Sequence, residues 1–256
     1  MQLVVLGSGT SVFHPHRAAA GFWLQTENGS MLLDCGADTP HRMAKENLDW
    51  LNLDAIWISH LHLDHCGGLA PFLFGMKHVP GIESRSKALK ISGCEGVEKL
   101  LRSIDESHNY KLMRQRFPIE IQEFSAGERK SFELLPDLKA ETFPTPHRRE
   151  SLAIRLTNSS RKTVVYTSDT GFSEELAQFC RGADLLILEC SFYRNKPVPT
   201  HLELADAMRI ADAAKPRRLL LTHLYPEWDG IDLEQEAKKL WPGETIAARD
   251  GLRLEI

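Results

Sequence analysis

The sequence predicts an α/β fold, on three observations. Short apolar runs of strand composition recur along the chain, several of them end in an acid or a histidine, and stretches of helical character follow them. The run His60-Leu61-His62-Leu63-Asp64-His65 crowds three imidazoles and a carboxylate into six residues. Side chains that would repel one another once protonated gain from such crowding by binding a cation, and imidazole with carboxylate suits Zn²⁺ and neighbouring divalent ions. The alternative is a solvated histidine-rich loop. Ala55-Ile56-Trp57-Ile58 before it reads as a strand, and Gly67 to Phe74 after it as a turn opening an apolar helix. The ligands therefore belong to a strand-to-helix junction, and a site of this kind needs further ligands from downstream.

His60, His62, Asp64 and His65 match the HxHxDH motif of the metallo-β-lactamase-fold hydrolases, and the resemblance extends along nearly the whole chain, closest to the ribonuclease Z-like and phosphodiesterase branch. It implies a four-layer αββα sandwich. With 256 residues and 42 % hydrophobic composition, one well-cored domain over residues 1–256 is expected. A formal charge of −4 and a pI near 6.3 supply no general basic field for nucleic acid or anionic membrane. No run approaches the ~18 apolar residues of a spanning helix. The start, Met1 to Gly7, reads as a strand and not as a signal peptide, so a cytoplasmic protein is expected. Cys35, Cys66, Cys94, Cys180 and Cys190 are scattered without CxxC spacing and are read as reduced thiols, Cys66 as a small buried residue.

In chain order, Val4 to Leu6 runs into Gly7-Ser8-Gly9-Thr10. Without a third glycine or a ribose-binding acid this is a tight turn and not a dinucleotide loop. His14, His16 and Arg17 follow; the histidines either face the mouth of the site or are exposed loop residues. Asn28-Gly29 between Gly21–Thr26 and Ser30–Asp34 signals a hairpin. Asp34 either caps the amphipathic stretch Thr39 to Asn47 or, as the resemblance of Leu32 to Gly36 to the family's "LLDCG" element implies, supports the metal site by fixing an imidazole. Lys77 to Lys90 reads as a polar loop over the site, Glu95 to Tyr110 as a helix, and Lys111, Arg114 and Arg116 as a solvated helix end or an anion contact. Strands are expected at 119–121, 131–134 and 138–142. No internal repeat is visible.

His147, held by Pro144 and Pro146, precedes the strand Ser151 to Leu156 and matches the family's fourth histidine. Asp169, after Val164 to Ser168, resembles the family's "GDT" aspartate; otherwise it would cap a helix over 174–181. His223 ends the apolar strand Arg218 to Thr222 and matches the last ligand. The resemblance thus implies one metal held by His60, His62, His147 and Asp169 and a second by Asp64, His65, Asp169 and His223. Zn²⁺ is expected, with Mn²⁺ or Fe²⁺ compatible with the same atoms. His62 stands where diiron relatives carry an acid. His201 resembles the ribonuclease Z-like histidine that meets the scissile phosphate, against a reading as a helix cap, and Glu189 resembles the acid that orients it.

Hydrolysis of a phosphodiester follows as the expected activity, with Asp64 orienting the water and His201 as acid. Only a hairpin's worth of chain separates His147 from Asp169, so the long tRNA-gripping arm of ribonuclease Z is missing. Small or cyclic phosphodiesters are expected before tRNA 3′ ends. Lactones, thioesters and sulfate esters stay open, as does a non-catalytic metal-binding domain, which the full ligand set argues against. The expected partner is a small anionic ester, with a homodimer implied by the resemblance.

Overall fold

The strands form two sheets, each with an antiparallel part, in a computed structural model that describes residues 1–256. In the first sheet, β1 (Gln2–Gly7), β2 (Gly21–Gln25) and β3 (Ser30–Leu33) form an antiparallel meander, to which β4 (Ala55–Ile58), β5 (Leu89–Cys94) and β6 (Ile119–Phe124) are added in parallel. The Asn28-Gly29 turn closes β2 on β3, with the Thr26 N–H donating to the Gly29 carbonyl at 2.8 Å. Helices α1 (Thr39–Lys45), α2 (Leu63–Cys66), α3 (Leu69–Met76) and α4 (Val97–His108) connect these strands.

The second sheet repeats the plan. Strands β7 (Ser131–Leu135), β8 (Leu138–Pro144), β9 (Leu152–Asn158) and β10 (Thr163–Tyr166) are antiparallel, and β11 (Leu185–Glu189), β12 (Arg218–Thr222) and β13 (Glu244–Ala247) continue in parallel. Helices α5 (Glu174–Phe179), α6 (Leu204–Ala214) and α7 (Leu233–Lys238) belong to this half. The last strand, β14 (Arg253–Glu255), returns to pair with β1, so both sheets hold seven strands with matching sequences of antiparallel and parallel neighbours.

Side-chain alternation assigns the layers. Leu185 and Ile187 enter a core shared by both sheets, whereas Leu186 and Leu188 enter a second core with α5, α6 and α7. Two mixed sheets face each other with helices outside them, which is the expected αββα sandwich. No helix is long and apolar enough to cross a membrane.

One expectation is corrected. Residues 77–90 do not cover the site: Arg85 donates to the carbonyls of Leu51 and Leu53 at 2.6 and 2.8 Å, and Lys87 pairs with Asp54 at 2.7 Å, all at the start of β4. Because β4 and β5 are parallel, the connection must return to the end of the sheet away from His60. Lys111, Arg114 and Arg116 are exposed in a loop beyond α4 and make no ion pair.

Candidate metal centre

The site forms where strands of both sheets end at the same side of the sandwich. β4 delivers His60 and His62, and the single turn of α2 turns Asp64 and His65 inward. That turn lies tightly on the segment after β3: the Cys35 N–H donates to the His65 carbonyl at 2.7 Å, and the Gly68 N–H to the Cys35 carbonyl at 2.8 Å. A Cβ on Gly36 would stand 2.5 Å from the Asp64 carbonyl oxygen, so only glycine permits this approach. From the second sheet come His147 after β8, Asp169 after β10 and His223 after β12. Asp34, Ser168 and His223 have φ of 59°, 55° and 59°. These left-handed residues turn the chain sharply at strand ends, the kind of backbone strain that concentrates at functional sites.

Three overlapping groups of nitrogen and oxygen atoms result: Asp169, His201 and His223 in one, and the two main ones, His60, His62, His147 and Asp169 on one side and Asp64, His65 and His223 on the other. Asp169 faces both main groups. Its Oδ2 lies 3.7 Å from His60 Nε2 and 3.6 Å from His147 Nε2, and its Oδ1 lies 3.2 Å from His65 Nε2 and 3.3 Å from His223 Nε2. His62 Nδ1 and His147 Nε2 are 3.2 Å apart, and Asp64 Oδ2 stands 3.4 Å from His223 Nε2 and 3.7 Å from His65 Nε2. Donor atoms held tetrahedrally at about 2.0–2.1 Å from a cation are about 3.4 Å apart, so these spacings suit ligation. Two buried nitrogens, His60 Nε2 and His65 Nε2, also have no hydrogen-bond partner. In a closed interior such atoms are costly unless a cation takes their lone pairs.

The outward ring nitrogens of four of the five histidines are engaged. His65 Nδ1 meets Asp34 Oδ2 at 2.6 Å, His147 Nδ1 the Thr200 carbonyl at 3.0 Å, His223 Nδ1 Ser191 Oγ at 2.9 Å, and His60 Nδ1 Ser59 Oγ at 3.1 Å. Such partners fix ring orientation and tautomer. Asp34 is no helix cap. It accepts from the Ser59 N–H and hydroxyl at 2.8 and 2.7 Å and from the Tyr166 hydroxyl at 2.7 Å, across the two sheets. The N-cap of α5 is Ser173, which leaves Asp169 free for the cluster.

Protonation follows from these surroundings. Burial holds His60 well below the ordinary imidazole range and lowers His62 and His147. Burial opposes charge on Asp64 and Asp169 too, but imidazoles outweigh it, holding Asp64 at about 2 and Asp169 well below the usual carboxylate range. Burial also works against His65, where Asp169 and Asp34 prevail and raise it. Ionised carboxylates and neutral imidazoles at His60, His62 and His147 are the forms that bind cations.

His201 stands at the edge of the cluster, its ring stacked on that of His223 at 5.4 Å between centroids. Its Nδ1 lies 2.9 Å from Glu189 Oε1, and against the pull of burial that carboxylate raises its pKa. Glu189 also accepts from the N–H groups of Thr170 and Leu202 at 2.7 and 3.1 Å and from Ser191 Oγ at 2.5 Å. The helix α6 begins later, at Leu204, so His201 does not cap it. Ser191, Tyr166, Ser59 and Ser168 have no counterpart in the sequence reading; a polar residue beside an acid at a strand end was the one signal available for Ser191. Cys66 stays out of the ligand set, its thiol pushed up to about 12 by burial. His14 and Arg17 bond Asp229, at 3.1 and 2.6 Å, and His16 is exposed.

Comparison with known proteins gives the fold and the family. YhfI of Bacillus subtilis (strain 168), named a probable metallo-hydrolase, is 29 % identical over 255 residues and 98 % of each chain. Its crystal structure, described as a metallo-β-lactamase fold protein, superposes with a TM-score of 0.85 at 26 % identity over 100 % of this chain and 99 % of that one. A ribonuclease Z of Archaeoglobus fulgidus is 24 % identical over 310 aligned positions, covering 100 % of this chain and 97 % of its own. A diphosphatase of the PhnP family shares the fold at a TM-score of 0.76 and 24 % identity, over 100 % and 97 % of the two chains. Residues 1–241 match the family model described as Anti-Pycsar protein Apyc1. This chain is a metal-dependent hydrolase of metallo-β-lactamase fold and belongs to the Anti-Pycsar protein Apyc1 family.

Proposed function

We propose that the chain is a dinuclear phosphodiesterase acting on small or cyclic phosphodiesters. The observation that carries this reading is Asp169, whose two oxygens face two separate ligand groups, beside a histidine outside both that is held by a carboxylate. His60, His62, His147 and Asp169 would hold one ion, and Asp64, His65, His223 and Asp169 the other. When bound, such a pair acidifies a shared water, holds the substrate's phosphoryl oxygens and offsets the charge of an in-line displacement.

The protein's own groups supply the rest. Asp64, ionised and at the wall of an open cleft, accepts a proton from the attacking water at its carboxylate and fixes its direction. His201 donates from Nε2 to the departing ester oxygen while Glu189 holds Nδ1–H, so the ring stays oriented as the proton leaves. Asp34 keeps His65 in place, and Ser191 does so for His223. The relatives named ribonuclease Z and diphosphatase support phosphate ester chemistry. The ribonuclease Z alignment runs over 310 positions against 256 residues here, which favours a small substrate over tRNA.

The test is hydrolysis of bis-p-nitrophenyl phosphate by protein of known metal content. Wild type with about two ions per chain is expected to turn over, with Asp64→Ala and His201→Ala each about 10²-fold or more slower, the size of effect usual for a positioned acid or base. A fully loaded protein inert to the diester would end this reading and direct the search to lactones, thioesters and sulfate esters.

A further inference from the structure

Three of the seven large apolar side chains exposed on the surface stand together beside the site: Phe13 at 99 % exposure, Leu63 at 71 % and Val12 at 42 %. They line one cleft of about 410 Å³ whose wall includes Asp64. Leu63 faces out because the single turn of α2 sends Asp64 and His65 inward. A phenyl ring wholly in water at the mouth of a polar site is the kind of exposed apolar patch that marks binding.

The loop that carries Phe13 is closed at its neck. The Gly9 N–H donates to the Ala18 carbonyl at 2.8 Å, the Ala18 N–H to Asp250 at 2.9 Å, and the Val12 N–H to Thr10 Oγ1 at 3.1 Å. Arg17 and His14 pair with Asp229 at 2.6 and 3.1 Å. The loop's cation is thereby spent on holding the loop, while Asp38 and Asp64 in the cleft wall are acids. A second phosphate would be repelled there, and an uncharged organic group would not. A ring presented on a fixed loop loses little freedom on binding.

The geometry points to a subsite for the planar organic arm of the substrate, an aryl group or a nucleobase, stacked on Phe13 and flanked by Val12 and Leu63, with the phosphorus at the neighbouring ligand cluster. This rests on the phosphodiesterase reading for the reaction but not for the binding. Stacking of a base on an aromatic side chain is independent of its hydrogen-bonding edge, so the subsite accepts different bases.

The probe is 2-aminopurine riboside 5′-monophosphate, whose fluorescence is quenched on stacking, titrated into the metal-loaded full-length protein. Wild type is expected to quench it, Phe13→Ala to bind about tenfold more weakly with the quench lost, and Phe13→Trp to retain both. Leu240→Ala, a change at an exposed apolar residue outside this cleft, serves as the control that leaves both unaltered. In parallel, the ratio of kcat/KM for bis-p-nitrophenyl phosphate over methyl p-nitrophenyl phosphate is expected to fall about tenfold in Phe13→Ala. Absence of quenching in wild type, or equal affinity and quench in Phe13→Ala, overturns the subsite. So does light scattering in which Phe13→Ala converts a dimer to a monomer while nucleotide affinity stays constant, since Phe13 then belongs to a contact between copies. Inertness to both diesters with quenching intact removes the phosphodiesterase reading and leaves the subsite standing.

Discussion

Asp34 takes part in four hydrogen bonds beside the candidate centre, as many as Glu189. A fully buried carboxylate accepts from Ser59 twice and from Tyr166, and meets His65 Nδ1, so its charge is balanced without water. Tyr166→Phe removes one of these donors and leaves the ring packed against Phe22. A hydrogen bond to a charged group contributes ~1.5–3 kcal/mol, and urea denaturation of the variant is expected to show a loss in that range. No loss of stability would mean that the bond is not formed in solution. Residues such as Tyr166 and Ser59 were not legible because their contacts cross 132 and 25 positions of sequence. His60, His62, Asp64 and His65 were legible because they share one short motif, and His147, Asp169, His201 and His223 through their likeness to family elements at strand ends.

At the scale of elements, apolar runs and the Asn-Gly turn marked most strands, whereas β11, β13 and β14 went unread. β11 is buried on both faces, so Leu185 to Glu189 shows no alternation, and β13 and β14 are short edge strands. The start of β11 is clamped to β10 by Asp184, which accepts from the Thr163 N–H at 2.9 Å and from Lys162 at 3.2 Å. Burial opposes the charge of Asp184, but these donors outweigh it and lower its pKa. A carboxyl with a lowered folded pKa stabilises above the ordinary range near 3.9 and loses that effect as pH falls through the lowered value. The stability gap between wild type and Asp184→Asn is therefore expected to be full at pH 6 and to close below about pH 4. Chemical denaturation at both pH values checks it; a gap independent of pH would rule out the charge as its cause.

For the whole molecule, the candidate ligands come from both sheets: His60, His62, Asp64 and His65 from the first, His147, Asp169 and His223 from the second. Ions bound there would tie the halves together and stabilise the fold by mass action, ~2.7 kcal/mol for a ligand at a hundred times its Kd. Chelation is expected to lower the Tm by several degrees and Zn²⁺ to restore it, while Asp169→Ala responds to neither treatment. A Tm indifferent to chelator in protein shown to lose metal would count against a shared centre.

The two sheets also show a duplication that no sequence repeat reveals. Each runs through three antiparallel and then three parallel pairings, and β3 and β10 are both followed by a left-handed residue, Asp34 and Ser168. Many apolar side chains fill a given core, so the plan persists without matching residues. The sequence by itself led to the α/β class and to metal-dependent hydrolysis as the reaction class, because the apolar runs mark strands and one short motif crowds metal-binding side chains at the end of one of them. Only the tertiary structure decided which oxygen of Asp169 faces which histidines, that residues 77–90 run to the far end of the sheet, and that Phe13 and Leu63 share a cleft with Asp64. These depend on the direction of parallel crossovers and on contacts between distant segments, which local composition does not encode.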